Sequence, residues 1–372
     1  MAVYKIFPEK DATLYSLFPQ VNTGLDEILD VSNLNFAVNT NPQVARYLVK
    51  FDQSEINSVF NTYVSTSTWD ATFKCFIATA QSINVDYSLK VHAVSGSWGM
   101  GTGKYLDQPI ATDGTSWQWR TYAGVGPGAV TWATGGFAGN VTASYSSSNY
   151  GGGNWYILPS ASQTFTYHSD KDLNVNVTNI VTQWSSSVKV NDGFLVKWED
   201  DIEFNQTKAI QPVLQYYSVD THTIYPPVLE IKWNDFSYVT SSDIPTIGTS
   251  QLYASIINND GFFYSQSVQQ FRVDCRPQFP PIIFQTASIY TTNYYLPSGS
   301  SYWAIKDLDT NEYVIDFDPL YTQISAGTTS SYFTVYMNGL QPERYYTILL
   351  KTTVGGTTLV FDSNYNFKVI NG

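Results

Sequence analysis

A chain of 372 residues with a formal net charge of −12 offers no footprint for nucleic acid, whose phosphates it would repel. Charged residues make up 13% of it, against about a quarter in ordinary soluble domains, while aromatics reach 16%, with 28 Tyr, 21 Phe and 10 Trp. Such a balance excludes a disordered chain and suits half-buried strands and broad protein contacts.

The length suits two or three domains, each able to bury a core. No basic start leads into an apolar run and no stretch approaches a membrane span, so the expectation is a soluble protein without export signal or membrane insertion, made in a cytoplasm. Cys75 and Cys275 lie far apart and read as buried free thiols.

Met1 to Pro8 reads as a short lead, and Lys10 to Tyr15 as the first strand. A turn at PQVNTGL precedes Ile28, Leu29 and Val31. In the strand Ala45 to Phe51, Tyr47, Val49 and Phe51 share one face and Arg46, Leu48 and Lys50 the other. Phe73 to Thr79 and Val85 to Val94 follow, the second with His92 on its polar face.

From Ser95 to Ser160 glycine, serine and tryptophan take over, as in long loops carried on a rigid scaffold. Trp98, Trp117, Trp119, Trp132, Tyr150 and Trp155 there have two readings: a surface for sugar stacking or protein contact, or a roof over the sandwich core. Trp117, Trp119, Trp132, Tyr150 and Trp155 are the candidate ligand or partner residues.

One helix is expected in the chain. Val177, Ile180, Val181 and Trp184 fall on one helical face, with Asn176 as N-cap. So short a helix must dock on something larger, and Trp184 is placed to plug the end of a sandwich. Asn191 to Gly193 make a turn into a buried strand from Phe194. Glu199, Asp200, Asp201 and Glu203 read as a solvated turn, or as hard oxygen ligands for calcium. The last strand of this region, Leu229 to Trp233, carries Glu230 and Lys232 on a wet face.

The segments DATLYS, NTGLDEILDVSN and ARYLVKFDQSEI, with the late helix, Gln183, Trp184, Asn191, Gly193 and Phe194, resemble DNRLRE-type β-sandwich domains, which are similar to carbohydrate-binding modules. That likeness implies a jelly-roll-like sandwich over residues 1–235. A Ser/Thr/Pro-containing linker is expected at 236–248. About seven strand candidates in 249–372 point to an immunoglobulin-like sandwich. Leu340, Pro342 and Tyr346 there resemble the tyrosine corner of fibronectin type III domains. The fold class expected is all-β throughout.

No residue pattern calls for turnover or a cofactor. His92, His168 and His222 are the three histidines, and none lies in a nucleophile-elbow or zinc-protease motif. Asn140, Asn176 and Asn205 open Asn-x-Ser/Thr triplets, which are chance matches without a secretory signal. MAVYKIFPEKDATLYS, DTHTIYPPVLEIKW, FRVDCRPQFPPIIFQT and YWAIKDLDT resemble virion structural proteins of contractile-tailed cyanophages and marine phages. The resemblance implies a non-enzymatic subunit of the tail, baseplate, neck or capsid surface, homo-oligomeric in a symmetric particle and in contact with other phage structural proteins. The alternative is an adhesin on the particle that binds host polysaccharide.

Overall fold

The computed structural model describes residues 2–34, 43–64, 68–81, 86–107, 110, 112–123, 128–132, 151–203, 211–279 and 293–372. Among them strands dominate and the fold is all-β, in largely antiparallel sheets. The chain divides into two compact units, one of residues 6–63 and 70–230, the other of 1–5, 64–69 and 231–372.

The principal sheet of the first unit runs, in hydrogen-bonded order, Trp155–Phe165, Tyr87–Val94, Phe194–Trp198, Gln43–Phe51, Ile28–Leu34, Val213–Tyr217 and Ile77–Gln81. Pro8–Tyr15 also pairs with Gln43–Phe51. Residues 173–176 pair with 72–75 apart from this sheet. Phe73 from that pair stacks on Phe194 of the large sheet at 4.8 Å, so an aromatic layer fills the space between.

Three α-helices lie among the described residues where the sequence reading expected one. The first, α1 (Gln53–Thr62), is capped by Asp52, whose Oδ1 accepts the Ser54 amide at 2.9 Å. It buries only Ile56 and Val59, too few apolar positions for periodicity to declare it, although Asp52 followed by Glu55 has the spacing of a helix start. The expected helix is α2 (Thr178–Ser185), with Ile180, Val181 and Trp184 buried. Asn176 Oδ1 accepts the Thr178 amide at 3.0 Å, and Trp184 packs on Phe194 at 4.6 Å. A single turn, α3 (Asp200–Glu203), follows. None is long and apolar enough to cross a membrane.

The large sheet is covered on both faces, which the alternation in the sequence did not indicate. Register aligns His92, Leu195, Leu48 and Ala12 in one row across four strands. The row lies on the face read from sequence as polar at His92, yet His92 is only 3% exposed. Leu14, Leu48, Val94 and Leu195 on this face pack with Trp98, Trp117, Trp132 and Trp155 in one apolar cluster. Glu230, expected on a wet face, is also buried and pairs with Lys74 at 2.9 Å.

The second unit is a sandwich of two sheets. One is ordered Leu252–Ile256, Val268–Pro277, Ser331–Tyr336, Ser325–Ala326, and the other Phe262–Tyr264, Thr357–Ile370, Tyr345–Val354, Ser301–Asp307, Tyr313–Ile315. Phe271, Val273 and Phe333 from one meet Trp303, Ile305, Ile348 and Phe367 from the other. Trp303 stacks on Phe333 at 5.1 Å.

Residues 236–248 belong to this sandwich and are not a free linker. Tyr238 bridges to Ala326, Thr246 to Tyr295, and Ile247 enters the core. Met1 to Pro8 is likewise no simple lead: Ala2–Ile6 is a strand and Val3 joins the same core. Buried apolar side chains at Val3 and Ile247 outweigh the polar, turn-rich character around them.

The tyrosine corner is formed: Leu340 is buried and the Tyr346 hydroxyl donates to the Gln341 carbonyl at 3.0 Å. Tyr346→Phe keeps the ring and removes that bond, leaving a carbonyl without its donor. Denaturant unfolding should show the second unit weakened by about 1 kcal/mol with the slope unchanged.

Candidate functional site

The covered face of the large sheet carries a buried group of charges. Arg46 comes from Gln43–Phe51, Lys197 from Phe194–Trp198, and Glu203 from α3, and all three are 0% exposed. Arg46 grips Glu203 with two nitrogens, Nε to Oε1 at 2.8 Å and Nη2 to Oε2 at 3.0 Å. Lys197 Nζ donates to Glu203 Oε2 at 2.8 Å and to the Trp198 carbonyl at 2.8 Å, and meets Asp200 at 2.6 Å.

The aromatic rings complete this arrangement. The Arg46 guanidinium lies 4.9 Å from the Trp117 ring and 5.1 Å from Trp155, and Lys197 lies 5.5 Å from Trp155. Cations held over ring faces out of water gain from the ring quadrupole. Arg46 Nη1 also donates to the Gly152 carbonyl at 2.6 Å, tying the loop to the sheet. That approach needs glycine. Gly151 and Gly152 both have positive φ; a Cβ on Gly151 would fall 1.8 Å from the Trp117 carbonyl, and one on Gly152 2.6 Å from the guanidinium.

Burial alone would push the Glu203 carboxyl up, but Arg46 and Lys197 together hold it below the usual carboxylate range. His92 is driven the other way from a free imidazole. Burial first, then the charge of Lys197, lower it to about 4, against the pull of its bond to the Tyr156 carbonyl at 3.1 Å. The result is a neutral imidazole beside an ion cluster whose charges satisfy one another. The set works as a clamp between sheet and roof.

The candidate aromatic residues separate accordingly. Trp117, Trp132 and Trp155 are buried, and the Trp132 indole donates to the Ser116 carbonyl at 2.9 Å, so they roof the core and present no ligand platform. Trp98 behaves alike, donating to the Asp192 carbonyl at 2.8 Å. Trp119 alone of the described candidates is half-buried, with its ring 5.1 Å from Tyr122. Tyr150 lies outside the described residues.

The acidic run from Glu199 is not simply a solvated turn, because Glu203 is buried against Arg46 and Lys197 and Asp200 meets Lys197. No group of three or more His, Cys, Asp or Glu side chains among the described residues is placed to hold a metal. Sequence reasoning missed Arg46, Lys197 and Glu203; the available signals were a cation between apolar strand residues and the run of three glycines from Gly151.

No protein-family model matches the chain, and no curated protein matches it. Among solved structures, it aligns with β-glucuronidase from Parabacteroides merdae at 9% identity and a TM-score of 0.18, covering 98% of this chain and 35% of that one. β-Glucuronidase 3 from Bacteroides uniformis aligns at 8% identity and a TM-score of 0.20, with 99% and 35% covered. The chain spans about a third of the length of these enzymes. Scores of this size mark no common fold.

Glu203→Gln replaces the carboxylate that Arg46 grips and Lys197 shares with Asp200 by a neutral amide, and should cost about 3–5 kcal/mol in denaturant unfolding. A second expectation concerns pH. His92 binds its proton less readily folded than unfolded, so stability is full above the unfolded value near 6.5 and falls as pH drops toward about 4. His92→Gln should flatten the pH 4–6.5 slope of the unfolding midpoint.

Proposed function

We propose that the chain is a non-enzymatic structural subunit of a phage particle, set in the tail, baseplate, neck or capsid surface, that joins neighbouring copies and other phage structural proteins through broad contacts. The likeness of its opening, middle and late segments to virion proteins supports this reading. So does the disposition of its aromatic residues.

The observation that carries it is on the five-stranded sheet of the second unit. Register places Phe262 and Tyr345 on either side of Lys368, on adjacent strands, and both rings are about half exposed, 56% and 51%. Tyr264, two residues on from Phe262, is 54% exposed. Large rings presented in register by a rigid sheet, with a cation between them, suit a protein interface, where aromatics are enriched and charge is sparse.

Phe262→Ser with Tyr345→Ser should leave the unfolding midpoint nearly unchanged and abolish incorporation into particles, scored by immunogold labelling or cryo-electron microscopy of purified virions. Full incorporation of the folded variant would reject this surface, and absence of the wild-type chain from particles would reject the role.

One observation favours the second reading, attachment to host polysaccharide. Trp119 with Tyr122 is a half-exposed aromatic pair of the size a sugar ring stacks on. Because Trp117 is core, the discriminating change is Trp119→Ala alone. Loss of binding on a host-glycan array with unchanged incorporation would establish adhesion.

A further inference from the structure

The outer face of the five-stranded sheet continues beyond the ring pair at Lys368. On Tyr345–Val354, Tyr345 and Lys351 point to the same side, and register sets Lys351 between Tyr302 and Val360 of the two neighbouring strands. Lys351 Nζ lies 4.4 Å from the centre of the Phe317 ring and 5.3 Å from that of Tyr302. The Phe317 ring is 6.0 Å from Tyr313, and Tyr313 in turn carries Lys306 Nζ at 5.0 Å. Two lysines and three rings thus form one connected array, with Tyr313 and Val360 about half exposed beside it, 46% and 54%.

Neither lysine meets a carboxylate among the described residues. The hydrogen bond that Lys306 makes goes to the Asn311 amide oxygen at 2.8 Å, whereas Arg344, Lys368 and Lys232 of the same unit are paired with Asp307, Glu343 and Asp318. Each of the two ammonium groups sits over a ring, and the ring faces so covered are closed to a stacked sugar. The array presents positive charge on an apolar bed, where a carboxylate brought from outside would find a partly desolvated cation. The complement of that charge is abundant in the chain itself: residues 6–230, which contain the first unit, hold twenty Asp and Glu against eleven Lys and Arg.

We propose that Lys306 and Lys351, on their aromatic bed, dock against the acidic first unit of a second copy of the chain, a choice of partner that rests on the assembly reading. Basic face and acidic unit are different surfaces, so the contact is heterologous: each copy in a pair keeps one half free, and addition runs on into a ring or a filament. Every copy is acidic overall. At about 0.15 M salt, where the Debye length is about 8 Å, that distant repulsion is screened and opposite charges in contact decide the outcome.

The test is sedimentation velocity on the full chain at that salt, from micromolar to a few hundred micromolar. The wild-type sedimentation coefficient should rise with concentration past the value for a dimer. Lys306→Glu with Lys351→Glu should stay at the monomer value with its unfolding midpoint unchanged. Lys306→Gln with Lys351→Gln, which removes charge without reversing it, should weaken association by about tenfold and decides the matter if the Glu variant does not fold. The folded Glu variant keeps its acidic unit, so adding it to the wild type should cap and shorten the assemblies. A wild type that stays monomeric throughout, a folded variant that associates as the wild type does, or assemblies that the Glu variant leaves unshortened would each overturn the proposal. Incorporation through other phage proteins, scored on virions, stands or falls separately.

Discussion

Glu203 is the residue on which the first unit turns. Its carboxylate bridges Arg46 and Lys197, two cations on the covered face of the sheet, and Asp200 supplies the second negative charge at Lys197. The same cluster reaches the loop through the Gly152 carbonyl and the rings of Trp117 and Trp155. Sheet, terminal turn and roof are therefore joined at one point, and each segment holds its position by satisfying the charges of another.

Other charged side chains withdrawn from water are matched in the same way, as with Glu230 and Lys74, or Asp307 and Arg344 in the second unit, whose nitrogen and oxygen lie 2.6 Å apart.

Tryptophan-rich loops invite a binding interpretation, and the structure narrows it. Trp98, Trp117, Trp132 and Trp155 roof the core, two of them donating their indole protons to loop carbonyls. Among the described residues, Trp119 with Tyr122 on the first unit and the ring pair about Lys368 on the second remain partly exposed, as do Tyr167, Tyr253 and Phe279. A loop this long consumes its aromatic residues in staying folded, and only the surplus is available to a partner.

Local patterns sufficed for some of this. The all-β class, the helix bearing Trp184 and the corner closed by Tyr346 follow from periodicity and short signatures, because each is decided by residues within a few positions of one another. Alternation also placed Arg46, Leu48 and Lys50 together on one face. Whether that face met water was a different matter, since period-two alternation sorts side chains into faces without saying what covers either one. The roof arrives from residues 98–155, and Glu203 meets Arg46 across 157 positions of chain. Only the folded arrangement could turn an apparently wet face into a core, an acidic run into a counterion, and a row of tryptophans from a surface into a roof.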